Sequence, residues 1–353
     1  MLQTGPTETT GRKADHLRIN REEDVRGKGV KNGFDAWRFE HCALPEIDLD
    51  RVETTCVLFE KQLDGPLLIS CMTGGTEEAG EINRRLARVA QRARLAIGIG
   101  SGRALLENPE VLKTFDVRAE APDVPLLANL GAVQLNKGYG ADECRNLVRM
   151  LDADALVLHL NPIQEALQVE GDTCFGGLLE KIGALCEALE IPVIVKEVGW
   201  GIASDVARKL LDVGVSAIDV AGAGGTSWSE VEKHRLTDPW RRRVAEAFAG
   251  WGIPTAYCIE RTRMIAPEAL LIASGGIRDG IDVAKAIALG ADLAGIAGAF
   301  LRAASTSEQT AEDLAREVLA TLRVAMFAIG AQNLRQLRAT TRLQFIGAVG
   351  EHS

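Results

Sequence analysis

The chain has 353 residues, 46% hydrophobic and only 5% aromatic, with a formal net charge of −9 and a pI near 5.3. That balance excludes a general nucleic-acid binder or an electrostatically held membrane-surface protein, but leaves room for an anionic ligand met by a few local Arg and Lys residues. Seven cysteines without a C-x-x-C pair predict reduced thiols, and no apolar stretch reaches the ~20 residues of a spanning helix, so we expect a cytoplasmic protein.

Residues 1–65 read as an N-terminal extension. Its first 30 residues are rich in Thr, Gly and charge and are expected to be mobile without a ligand. They hold a basic cluster, Arg12-Lys13-Ala14-Asp15-His16, and 52–60 partly alternates as an extra strand. From residue 66 one unit repeats: a short apolar strand, a burst of glycine and polar residues, then in most cases a helix. The strands fall at 67–70, 96–100, 126–131, 155–160, 193–198, 217–222, 269–274 and 293–298. Helical periodicity covers 81–93, 141–151, 177–189, 204–213 and 282–290, with a long excursion through Trp240, Trp251 and Pro254. Two last helices, at 308–329 and 331–338, would cover the eighth strand or make a subunit contact. Strands apolar at nearly every position are those buried on both faces, so 66–353 predicts a single closed (β/α)8 TIM barrel.

Active sites of such barrels lie where the strands end. Polar residues gather there: Thr73, Ser101, Arg103, Asn129, His159, Gln164, Glu165, Lys196, Thr226 and Arg278. Gly275-Gly276-Ile277-Arg278 and Ala297-Gly298 follow strands seven and eight, the usual phosphate position of the fold. Neither fits a Rossmann or P-loop pattern. Lys196 interrupts a buried strand, which leaves three readings: a Schiff-base lysine, a donor to the electron-rich edge of a flavin, or half of a barrel salt bridge. Glu165 is either a hard-cation ligand beside a phosphate or an ordinary helix-start carboxylate. Gln164 has no useful pKa and can only orient substrate or relay a proton. No Ser/His/Asp set and no Cys/His metal spacing occurs.

The ordered set Arg12-Lys-x-x-His16, Met72-Thr-Gly-Gly75, Gly100-Ser-Gly-Arg103, Asn129-Leu-Gly131, His159-Leu-Asn-Pro-Ile-Gln-Glu165, Gln168-x-Glu-Gly-Asp172, Lys196-Glu-Val-Gly199, Ala221-Gly-Ala-Gly-Gly-Thr-Ser-Trp228 and Ser274-Gly-Gly-Ile-Arg278 resembles the type 2, FMN-dependent isopentenyl-diphosphate isomerases. The resemblance implies a reversible 1,3-allylic proton shift between isopentenyl and dimethylallyl diphosphate in isoprenoid biosynthesis. It further implies reduced FMN as acid and base, Mg2+ on the diphosphate, NAD(P)H as reductant, and a homo-oligomer, a tetramer or octamer. Carried over by position, Met72, Thr73, Gly74, Ser101, Asn129, Lys196, Thr226, Gly276, Arg278, Ala297 and Gly298 hold FMN. Arg12, Lys13, His16, Ser101, Gly102, Arg103 and Gln164 contact substrate, Glu165 binds Mg2+, and Gln164, Lys196 and His159 serve catalysis. The basic N-terminal cluster becomes a lid over the diphosphate. Flavin-dependent 2-hydroxyacid oxidases compete for the same barrel, but the His-Gly-Gly-Arg pattern they resemble is absent. The nucleotide dehydrogenase barrels need a Cys where this chain has Thr226-Ser227-Trp228. A non-catalytic flavin-binding barrel needs neither Glu165 nor Gln164.

Overall fold

A computed structural model describes residues 8–347. Eight parallel strands close into a barrel in which consecutive strands are neighbours throughout: β1 (Leu67–Ile69), β2 (Ala96–Gly98), β3 (Leu126–Gly131), β4 (Ala155–His159), β5 (Val193–Lys196), β6 (Ala217–Asp219), β7 (Leu270–Ser274) and β8 (Leu293–Ile296). The helices around it are α1 (Glu8–Glu22), α2 (Glu77–Ala93), α3 (Arg103–Glu107), α4 (Ala141–Leu151), α5 (Pro162–Leu167), α6 (Leu178–Ala188) and α7 (Ser204–Asp212). They continue with α8 (Trp228–Arg235), α9 (Pro239–Ala247), α10 (Thr255–Ile265), α11 (Gly280–Ala288), α12 (Gly298–Thr306), α13 (Glu308–Ala328) and α14 (Leu334–Arg338).

The helices form for local reasons and stay for tertiary ones. The Thr76 hydroxyl caps α2 by accepting from the Ala79 N–H, and Asp279 caps α11 by accepting from Ile281 and Asp282. On α2, Ile82, Leu86, Val89 and Ala90 form one buried face against the barrel. The barrel floor is closed by an antiparallel hairpin, Cys56–Leu58 with Lys61–Leu63, whose Leu58 and Leu63 pack with Leu68, Leu127, Val157 and Ile194. This hairpin occupies part of the alternating stretch at 52–60. The strand Trp37–Phe39 pairs antiparallel with Leu343–Phe345, joining the N-terminal extension to the segment after α14.

Three expectations shift. The strands end up to three residues earlier than their apolar runs, because the loop residues above them turn to meet one another. The 240–265 excursion contains α9 and α10, and α13 packs on α2, α11 and α12, closing the helical ring. Most consequentially, the stretch expected as a mobile tail contains a 15-residue helix. It has no apolar stripe of its own. Leu17 and Ile19 are nonetheless buried, Leu17 in the main core and Ile19 with Val25, Val231 and Trp228, each apolar burial worth roughly 1.5–3 kcal/mol. Tertiary packing therefore makes this helix.

Candidate active site

At the strand ends two cavities meet, sharing Lys196, Val198, Thr226, Ala297 and Gly298 along their common wall. Of the sequence-predicted site residues, Gly276 and Arg278 line the second cavity, and all others except Gly102 line the first. Gly102 sits just behind, its N–H donating to the Asn129 carbonyl (2.7 Å).

Strand register builds the floor. His159 stands beside Lys196, and Lys196 beside Asp219, as direct partners on β4, β5 and β6. Burial, then the positive charges of Lys196, Arg12 and Lys13, press His159 down to about 3, so its ring is neutral. With Asn129 Oδ1 2.9 Å from Nδ1, the proton is on Nδ1 and Nε2 carries the lone pair. Among the described residues no carboxylate comes within 4.0 Å of the Lys196 ammonium, which removes the barrel salt bridge as its explanation. It donates to the Glu197 carbonyl (2.5 Å). The Glu197 carboxylate is buried, which pushes it up to about 7 although Oε2 accepts from the Val198, Gly199, Trp200 and Gly201 N–H groups.

The second cavity has a glycine-built wall. Gly275 (φ 103°) and Gly276 (φ 74°) lie against the backbone of Gly222 and Gly224, and a Cβ on Gly275 would stand 2.1 Å from the Gly222 carbonyl oxygen. Gly275→Ala therefore combines left-handed strain with a backbone clash. It is expected to cost more than about 2 kcal/mol, read as a lower urea midpoint at unchanged m-value. Opposite, α12 starts at Gly298, and its first N–H groups have no intrahelical acceptor. A cradle of close-approach glycines and a short extra helix after β8 fits a phosphate. The buried Ser70 hydroxyl on the same wall has no hydrogen-bond partner among the described residues.

The first cavity is roofed by α1, which brings in Arg12, Lys13, His16, Leu17 and Asn20. Lys13 Nζ donates to the Ser101 carbonyl (2.8 Å) and lies 4.7 Å over the Phe115 ring. Burial, then Arg12, lower it to about 7, with Glu107 opposing. Arg103 is held by Glu107 (2.7 Å) and Asp172 (3.0 Å). Arg12 has no carboxylate within 4.0 Å among the described residues.

On the far wall, Glu165 Oε1 accepts from Asn161 (2.8 Å), and Oε2 from Gln168 (2.6 Å) and the Asp172 N–H (2.7 Å). The amide oxygens of Gln134, Asn161 and Gln168 nearby are buried without a hydrogen-bond partner among the described residues. One carboxylate among unpartnered amide oxygens suits a hard cation that takes its other ligands from substrate and water. No group of three His, Cys, Asp or Glu forms a metal cage among the described residues. Gln164 bridges two groups: its Oε1 accepts from Asn161 (3.1 Å), and its Nε2 donates to Glu232 (3.2 Å).

Glu232 and Asp219 went unread in the sequence. Glu232 is fully buried behind the cavity, paired with His16 (2.9 Å) and Arg235 (2.7 Å), and His16 stacks edge-on against Trp228 at 5.0 Å. Asp219 is buried beside Lys196, and its Oδ1 accepts a hydrogen bond from the Ser274 hydroxyl (2.6 Å); burial raises its pKa. Only Asp219's interruption of an apolar run signalled it.

A family model described as FMN-dependent dehydrogenase matches residues 163–343. Curated isopentenyl-diphosphate delta-isomerases are similar over almost the whole chain. The Nostoc sp. protein is 54% identical over 337 residues, covering 96% of both chains. That of Rickettsia africae is 48% identical over 333 residues, covering 94% of this chain and 97% of its own. In three dimensions the barrel resembles a flavocytochrome b2 mutant with pyruvate bound (TM-score 0.69, 17% identity, 94% of this chain and 82% of that one). It also resembles a mandelate oxidase mutant with an FMN adduct (TM-score 0.62, 18% identity, 96% and 93%). At such identities these likenesses speak for the fold alone. The near-full-length identity speaks for more: the chain belongs to the type 2, FMN-dependent isopentenyl-diphosphate delta-isomerases.

Proposed function

We propose that the joined cavities divide the work of interconverting isopentenyl and dimethylallyl diphosphate. The second cavity takes the FMN phosphate, the shared wall at Lys196 takes the ring, and the first cavity takes the substrate under α1. The observation that carries this reading is the junction of the two cavities at Lys196, Thr226 and Gly298, with the glycine wall on one side of a half-buried ammonium and the cavity under α1 on the other. Bound reduced FMN would supply an electron-rich ring and a proton-exchanging nitrogen to the alkene.

Protonating an alkene creates a tertiary cation-like centre that must be kept from water. Leu17, Trp228 and Met72 give the first cavity its apolar side, and α1 closes it. Arg12 and Lys13 meet the diphosphate, and Glu165 would hold the Mg2+ that offsets its charge. Gln164 orients the reacting end, being fixed at both ends of its own amide. His159, neutral and with its lone pair at Nε2, accepts a hydrogen bond and donates no proton from that atom. NAD(P)H as reductant, a homo-oligomer and the 1–65 extension as lid-bearing segment belong to the same reading.

Lys13 gives a pH signature with a definite sign. Its folded-state pKa near 7 lies below the ordinary 10.5, so the unfolded chain binds more protons between these values and stability rises with pH through that window. Substrate affinity runs the other way, because the diphosphate needs the ammonium. KM is expected to climb about tenfold per pH unit above about 7 until the complex itself titrates, and Lys13→Arg should flatten that climb. An unchanged slope in the arginine variant would reject Lys13 as its source.

The deciding experiment incubates the holoenzyme anaerobically with isopentenyl diphosphate, Mg2+ and reduced FMN. Dimethylallyl diphosphate should form only with reduced flavin and with no net consumption of NADPH. Isomerisation in its absence would reject the reading.

A further inference from the structure

Resting on the reading of the second cavity as the FMN phosphate site, the structure reassigns the cation that faces the phosphate. Position in the Ser274-Gly-Gly-Ile-Arg278 stretch nominates Arg278. Its guanidinium, however, is already engaged: Nε and Nη2 contact the Asp282 carboxylate at 2.8 and 3.1 Å, and Nη2 also reaches Asp35 at 3.2 Å. Even its backbone N–H donates to Asp282 (3.1 Å). Side-chain hydrogen bonding to Asp282 raises its pKa. An arginine between two carboxylates presents little net charge to a third anion.

Apart from Lys196, which stands on the wall shared with the first cavity and donates to the Glu197 carbonyl, the other cations on this wall are also paired. Arg26 and Lys28 share Asp24 at 2.8 Å each, and Lys31 lies 3.6 Å from Asp35. Arg302 differs. Among the described residues it has no carboxylate within 4.0 Å, although most arginines lining either cavity do. It stands one turn into α12, and its Nη1 lies 3.3 Å from where a Cβ on Gly298 would stand, with the Thr226 hydroxyl 3.7 Å from the same point. The guanidinium thus folds back over the start of its own helix, where first-turn N–H groups point out unbonded. A dianion seated there meets helix N–H groups, the Thr226 hydroxyl and one uncompensated guanidinium together.

We propose that Arg302 supplies the formal positive charge opposite the FMN phosphate, and that Arg278 shapes the glycine turn through Asp282 and Asp35. Arg302 is a ligand-contacting residue and Arg278 a positioning residue.

The test titrates apoprotein with FMN and, separately, with riboflavin, which keeps the ring and lacks the phosphate, following flavin fluorescence. Arg302→Gln should weaken FMN about tenfold or more and leave riboflavin unchanged. Arg302→Lys should restore part of the loss. Arg278→Gln should reduce the FMN-over-riboflavin preference less than Arg302→Gln does. Equal loss of both flavins in Arg302→Gln, no loss of FMN, or a greater loss of preference in Arg278→Gln would overturn the assignment. A wild-type protein that prefers riboflavin, or binds neither flavin, would instead overturn the reading of the cavity itself.

Discussion

Glu165→Gln is expected to lower kcat/KM by a factor of about 10^3, roughly 4 kcal/mol, and to leave residual turnover that no longer responds to Mg2+. Two physical effects add. The first is the loss of the formal charge that a hard cation requires beside a diphosphate. The second is geometric: three donors converge on this carboxylate, the Asn161 amide on one oxygen and the Gln168 amide and Asp172 N–H on the other. A glutamine has one acceptor oxygen, so its own NH2 must face at least one of these donors, leaving buried polar groups unpaired at about 1–3 kcal/mol. The Asp172 backbone is then released, and Asp172 carries Arg103 and Lys137 at 3.0 and 2.8 Å. FMN affinity, set on the opposite wall, should be unchanged. An unaltered Mg2+ response in the variant would exclude Glu165 as the ligand.

How much of this was legible beforehand depended on whether a residue's role is local or long-range. The barrel was legible because buried parallel strands must be apolar on both faces, and eight such runs alternate with helical periodicity. The strand-end residues were legible because a polar residue closing an apolar run has little reason to be there otherwise: Asn129, His159 and Lys196 all proved to face the cavity. Glu232 was not, because the stretch Glu230 to Arg235 carries two carboxylates and three basic residues and reads as a solvated helix. Its burial comes from α1 and α5 closing over α8, contacts made by residues 68 and 216 positions away. The helix α1 was hidden for the reciprocal reason: its few apolar residues find their partners on another element. The pairing state of an arginine is likewise a tertiary property, so Arg278 and Arg302 could not be ranked by motif.

The second large effect is expected at Glu232, which never touches the cavity and acts through what it holds. Its Oε1 faces His16 Nε2 and the Gln164 amide, and its Oε2 accepts from Arg235. Burial alone would raise its pKa, but the hydrogen bond and charge of His16, with Arg235, outweigh that and keep the carboxyl below the usual range. Its contribution to stability is therefore present at neutral pH and is lost as pH falls through and below the ordinary Glu value near 4. Glu232→Ala leaves His16 and part of Arg235 uncompensated in a buried setting, and is expected to cost about 3–5 kcal/mol. It also unties α1, which carries Arg12 and Lys13, so KM for the diphosphate should rise more than tenfold in protein that still binds FMN normally. Glu232→Gln tests the connection with less risk to folding, since it keeps the shape and an acceptor for Arg235 while removing the carboxylate charge that faces His16. If the latch runs through that pair, His16→Ala and Glu232→Gln should raise KM alike, and the double variant should be no worse than either single one. Additive losses would mean that Glu232 supports catalysis through Gln164 instead, and kcat rather than KM would then carry the difference.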